Sequence, residues 1–226
     1  MNETFDYDLI CIGSGPAGQR AAVQAAKLGR RAAIIERRGS LGGVCLDTGT
    51  IPSKTFREAV TWVVSAAARA SGSVDGAATP RPTAEVLLAR VSDVVSREAV
   101  VIASQLRRNG VDVLHGEASF RDPHHLVVHG GDASRDVSAN NILIAVGTVA
   151  APAPGAGSDG VTVLTSDDIC RLARIPRTMT VVGAGVIGME YASMFAALGV
   201  DVTVIDKRER PLEFLDTEIV DELMHQ

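Results

Sequence analysis

Apolar positions near the start of the chain fall in two short runs. Leu9-Ile10-Cys11-Ile12 stops at Gly13, and Ala32-Ala33-Ile34-Ile35 stops at Glu36. Between them lie a glycine turn and an alanine-rich stretch beginning at Pro16. Short apolar runs bounded by turn residues predict buried strands, and the alanine-rich stretch predicts a helix. The same order returns 170 positions later. Met179 to Val182 predicts a strand, Gly183 opens a turn, a second alanine-rich helix follows, and Val202 to Ile205 ends at Asp206.

Helical periodicity covers 60–70 and 83–108, with a stop at Arg108-Asn109-Gly110. The Ser/Gly/Ala/Pro stretch 71–82 between them predicts a loop. Residues 111–120 predict a strand. Residues 126–129 and the run from Val137 predict a hairpin around Gly130-Gly131-Asp132. Residues 141–146 predict a buried strand ending at Gly147-Thr148. The Pro/Ala/Gly-rich stretch 150–160 reads as a connection, which divides the chain into domains 1–150 and 151–226.

The composition narrows the class. The chain has 226 residues, 46% hydrophobic and 22% charged, with a net charge of −5. No basic block is present, which argues against a nucleic acid partner. The apolar runs are too short and too interrupted for a membrane span. The polar, acidic start has no basic segment and no signal core, so a cytoplasmic protein is expected. Cys11, Cys45 and Cys170 lie far apart and predict neither a zinc site nor a secreted disulfide framework. Cys11 and Cys170 fit buried structural thiols.

The duplicated unit carries the chemistry. Gly13-x-Gly15-x-x-Gly18 and Gly183-x-Gly185-x-x-Gly188 each follow a strand and open a helix, and each third glycine precedes its acid, Glu36 or Asp206, by 18 positions. The first glycine allows the tight turn, the second admits a pyrophosphate to the backbone, and the third lets helix and strand close up. The helix N-terminus then offers N–H groups to the phosphates, and the acid accepts ribose hydroxyls. One such fingerprint is weak evidence. Two, in register, predict two dinucleotides.

Leu41-Gly42-Gly43-Val44-Cys45, continuing to Thr50-Ile51-Pro52-Ser53-Lys54, resembles the redox-active segment of the glutathione reductase and dihydrolipoamide dehydrogenase superfamily. Ala145-Val146-Gly147-Thr148 resembles the strand end where the chain leaves that superfamily's FAD domain, and the stretch from Gly183 to Glu190 resembles its nicotinamide fingerprint. The resemblance implies an α/β fold: a Rossmann-like FAD-binding domain with a second Rossmann-like NAD(P)-binding domain inserted, here incomplete. It implies FAD as cofactor, with NAD(P)H and NAD(P)⁺ as substrates. Gly13, Gly15, Gly18, Glu36, Arg37, Gly42, Gly43, Val44, Cys45, Gly116 and Gly147 would line the flavin site. Gly183, Gly185, Gly188, Glu190 and Asp206 would line the nicotinamide site. Lys54 would lie beside the flavin, paired with Glu190, and support its reduction. A packed small side chain is the alternative reading of Cys45, and unrelated surface charges are the alternative for Lys54 and Glu190.

The chain departs from the superfamily at Thr50, where a second cysteine is usual. A dithiol relay needs a neighbouring thiol to resolve the mixed disulfide, and a hydroxyl cannot do so. The wording from Thr48 to Lys54, and again from Arg208 to Asp216, resembles the soluble transhydrogenases. That branch implies hydride transfer between NADPH and NAD⁺ through FAD, with no acid–base residue required. Asp206 favours an unphosphorylated ribose, whereas Lys207 and Arg208 either offset that preference or belong to a solvated turn. Val186 stands where several relatives carry a gating tyrosine, which implies a more open approach. The five histidines carry no motif. The resemblance also implies a further stretch of comparable length and a homodimer or higher oligomer for the complete protein. A quinone-type flavoprotein reductase and a non-catalytic nucleotide-binding piece are the competing readings.

Overall fold

The computed structural model describes residues 4–71, 83–131, 133–151, 155 and 157–225. Two units are present: residues 1–52 with 92–149, and residues 53–91 with 150–226.

The first unit is built on a six-stranded sheet. Its strands are β1 (Tyr7–Ile12), β2 (Ala32–Glu36), β3 (Asp112–His115), β4 (Glu117–Phe120), β5 (His125–Gly130) and β6 (Ala133–Ile144), in the order β3-β2-β1-β6-β5-β4. β3, β2, β1 and β6 are parallel, with Leu9 opposite Ala32 and Asn141. β4, β5 and the first half of β6 form an antiparallel meander. Helix α1 (Pro16–Lys27) joins β1 to β2. It starts with proline, whose missing N–H is no loss in a first turn, and ends before Gly29, which takes φ +75°. The short helix α2 (Val44–Asp47) follows β2.

Strand periodicity explains how the core is divided. Successive side chains point to opposite faces. Cys11, Ala32 and Ile34 pack with Ala22 and Val23 of α1 and with Leu106 and Val111. Ile10, Ala33 and Ile35 pack with Leu126, Val128, Val137 and Ala139 of the meander. β2 is therefore buried along its whole length, as a parallel strand covered on both faces should be.

Helix α3 (Thr50–Ser71) enters the second unit at Ser53, and α4 (Ala84–Arg108) leaves it after Val91. That unit also holds a 3₁₀ turn at Ser166–Arg171, β7 (Thr178–Val182), α5 (Val186–Ala197), β8 (Asp201–Ile205) and α6 (Thr217–His225). β7 and β8 pair in parallel, from Thr178 with Asp201 to Val182 with Ile205. Phe195 of α5 is fully buried, with its ring centroid 5.8 Å from Phe56 of α3.

Four expectations need adjustment. The helix expected over 60–70 starts at Thr50, because Pro52 falls within the first turn, where it is tolerated. The strand expected over 111–120 is broken by Gly116, whose φ of +149° lets β3 join the parallel set and β4 the meander. The strand expected over 141–146 is the end of the longer β6, and it is not buried there: Ile144 is 63% exposed. Of the loop predicted over 71–82, Ser71 ends α3 instead, and 72–82, like Asp132 of the hairpin turn, lie outside the described residues. Among the described residues, no helix is long and apolar enough to cross a membrane, and no group of side chains could hold a metal ion.

Candidate functional site

The two glycine turns are built alike, each within its own unit. Gly13 and Gly183 take φ +109° and +108°. Their N–H groups bond the last carbonyl-bearing apolar residue of the neighbouring strand, Ile35 or Ile205, each at 2.8 Å. A Cβ on Gly18 would run into the Gly13 carbonyl, and one on Gly188 into the Gly183 carbonyl, so both third glycines permit the close helix–strand approach. Gly15 and Gly185 cap α1 and α5 without any side-chain hydrogen bond. A Cβ on either would meet open space, so both helix N-termini are accessible.

The two acids are held differently. Glu36 Oε2 accepts the backbone N–H of Ser14 at 2.9 Å and its hydroxyl at 2.5 Å, while Oε1 accepts the Arg38 N–H at 2.8 Å. Burial pushes the Glu36 carboxyl up. The Ser14 hydroxyl, the two N–H groups and the Arg38 charge outweigh burial and hold it below its ordinary value. Asp206 accepts the Ala184 N–H at 2.6 Å and the Arg208 N–H at 2.8 Å, and the Arg208 guanidinium grips it bidentately. That guanidinium, followed by the two N–H groups, holds Asp206 well below the usual carboxylate range.

The segment after β2 folds back onto the first turn. Gly42 and Gly43 take φ +125° and +60°, and a Cβ on Gly43 would lie 2.9 Å from Gly15 Cα. The Gly42 N–H donates to Ser14 Oγ at 3.0 Å. Arg38 and Ser40 both donate to Asp47 at 2.8 Å, anchoring α2, on which Val44 and Cys45 are partly buried. Gly116 donates its N–H to the Glu36 carbonyl at 2.9 Å. Arg37 is exposed, and Gly147 follows β6 with φ +70°. In the second unit Lys54 forms an ion pair with Glu190 of α5, their side chains 58% and 16% exposed. Thr50 and Val186 are exposed at the starts of α3 and α5. Ser14, Arg38 and Asp47 were not singled out from the sequence. The spacing of the fingerprint leaves its variable positions unspecified, and only the folded turn shows what Ser14 joins.

The family model described as pyridine nucleotide-disulphide oxidoreductase matches residues 7–226. The chain belongs to this family. Members use FAD together with NAD(P)H. The chain is 48% identical over 221 residues to a soluble pyridine nucleotide transhydrogenase of Mycobacterium bovis (strain BCG / Pasteur 1173P2), covering 96% of this chain and 47% of the relative. It is 38% identical over 226 residues to one from Colwellia psychrerythraea (strain 34H), covering 100% of this chain and 48% of the relative. The chain thus spans about half the length of the curated relatives it matches. Among solved structures it resembles a Cu(II) complex of the HOCl-induced flavoprotein disulfide reductase RclA from Escherichia coli. The TM-score is 0.80 and the identity 28%, covering 99% of this chain and 46% of that one.

The residues present suit the family's nucleotide cofactors. Both helix N-termini are uncapped and open, and Glu36 keeps acceptor capacity on Oε1. The Thr48 hydroxyl, between Cys45 and Thr50, is buried without a partner among the described residues, which a bound group would relieve. Cys11, Cys45 and Cys170 are free thiols. Burial pushes Cys11 up to about 11, against a smaller opposing effect of a hydrogen bond with the Ala22 backbone. Burial also raises Cys170, which the charge of Arg171 partly offsets.

Proposed function

We propose that this chain carries the flavin and nicotinamide sites of an oxidoreductase that moves a hydride between NADPH and NAD⁺ through FAD, without a redox-active disulfide. The observation that carries this reading is Thr50, five residues after Cys45 where a relay would place its second sulfur. The names of the relatives point the same way.

In this reading the first unit holds FAD. Gly13, Gly15 and Gly18 admit its pyrophosphate to the N-terminus of α1, and Glu36, oriented by Ser14, takes an adenosine ribose hydroxyl. Gly42, Gly43, Val44, Cys45, Gly116 and Gly147 complete the flavin side, with Arg37 at its rim. FAD, when bound, supplies the hydride-accepting and hydride-donating chemistry. The second unit binds the nicotinamide coenzymes through Gly183, Gly185, Gly188 and Asp206. Lys54 provides the positive charge that favours the reduced cofactor, and Glu190 keeps that lysine oriented. No side chain needs to move a proton, and Val186 leaves the approach to α5 open.

The test uses the flavin-loaded full-length protein with NADPH and thio-NAD⁺. Steady formation of thio-NADH, with no turnover of lipoamide, is the expected result. The disulfide reductase named for the Escherichia coli structure represents the competing class. Lipoamide turnover in place of thio-NAD⁺ reduction would assign this chain to that class.

A further inference from the structure

Asp206 has no acceptor site left for a ribose. Oδ1 accepts the Arg208 N–H at 2.8 Å and its Nε at 2.9 Å, and Oδ2 accepts the Ala184 N–H at 2.6 Å and Arg208 Nη2 at 2.6 Å. A carboxylate offers about four lone-pair positions, so four donors fill it. The first unit provides an internal comparison. Glu36 has three donors, and Arg38, also two residues after the acid, sends its guanidinium to Asp47 instead. The two copies share turn, acid and arginine spacing, but only in the second does the arginine cover the acid.

A 2′-hydroxyl can therefore bond Asp206 only after the Arg208 guanidinium has moved. That side chain is 33% exposed and leaves Asp206 only 10% exposed, so it lies on the solvent side of the pair. Its planar fork suits phosphate as well as carboxylate. The loop's other guanidinium, Arg210, is paired with Asp221 at 2.9 Å. A bare acid at this position selects NAD(H), and an arginine accommodates the 2′-phosphate of NADP(H). Here both groups are present, each cancelling the other until a ligand arrives.

Building on the reading of the second unit as the coenzyme site, we propose that Arg208 is a two-position coenzyme selector. For NADP(H) it turns from Asp206 onto the 2′-phosphate. For NAD(H) it withdraws to solvent and uncovers Asp206 for the 2′-hydroxyl. One pocket then accepts both coenzymes in turn, as a transhydrogenase requires.

Calorimetric titration of the flavin-loaded full-length protein with 2′,5′-ADP and 5′-AMP tests this, because the two probes differ only in the 2′-phosphate. Arg208→Gln is expected to weaken 2′,5′-ADP about tenfold or more while 5′-AMP binds equally well or better. Asp206→Asn frees the fork and removes the repulsion, so 2′,5′-ADP should tighten and 5′-AMP weaken. In turnover, Arg208→Gln should raise KM for NADPH more than KM for NAD⁺. A damaged loop would weaken both probes in both variants, and that result overturns the proposal, as does an Arg208→Gln protein that treats the probes alike. If neither probe binds the unaltered protein, the reading of this unit as a coenzyme site fails and the selector fails with it. If both bind and the variants do not discriminate, the selector alone is wrong.

Discussion

Ser14 is the variable residue of the first Gly-x-Gly, and nothing in the fingerprint demands a hydroxyl there. In the fold it is fully buried and joins three pieces of chain: the turn, Glu36 and the Gly42 N–H. Ser14→Ala would leave a buried carboxylate one donor short and a buried N–H without its acceptor. Losses of this kind cost about 1–3 kcal/mol. Urea denaturation should show that drop, and flavin affinity should fall with it. Ala184, the equivalent residue of the second turn, has no hydroxyl, and the donor missing there is supplied by Arg208. The glycines and the two acids were legible in the sequence, since backbone geometry and spacing determine them. Ser14 and the grip of Arg208 were not, because their roles depend on which loop returns to the turn.

At the scale of elements, α3 and α5 meet through Phe56, Tyr191 and Phe195, with the Lys54–Glu190 pair alongside. Lys54 is more than half exposed, so the pair adds little to stability, about 1 kcal/mol or less. Glu190→Gln should therefore leave the melting temperature almost unchanged. If Lys54 supports flavin reduction as proposed, the same change should slow stopped-flow bleaching of the flavin by NADPH by roughly 10- to 100-fold, less than the roughly 100- to 1000-fold for removing a direct electrostatic contact, because Glu190 acts through Lys54. A large loss of stability with normal bleaching would make the pair a simple brace. Helices α1, α4 and α5 and the β5–β6 hairpin followed from apolar periodicity and turn residues, whereas α6 and the first turns of α3 did not. The break at Gly116 was not read from the sequence, because residues 111–120 form one run without a turn cluster and only the pairing partners separate β3 from β4.

For the molecule as a whole, the titrating groups set the pH range of stability. The carboxyls of Asp6, Glu36, Asp122, Asp159, Asp168 and Asp206 are all held below their ordinary values. A depressed folded value means that the stabilisation is complete above the unfolded value of about 4 and is lost as the pH falls through the folded one. Cys11 acts in the opposite sense. Its stabilisation is complete below an unfolded value of about 8.5 and is lost as the pH rises toward about 11. A melting-temperature scan should therefore be flat between about pH 5 and 8 and fall on both sides. An acid limb that stays flat to pH 2 would contradict the carboxylate networks described above. The position of β1 has a consequence for biosynthesis. β1 is made long before β6, which fills one of its edges, where Tyr7 meets Ala139. A nascent chain must carry that edge unsatisfied until more than a hundred further residues have been translated, so chaperone dependence should concentrate on β1 rather than β6.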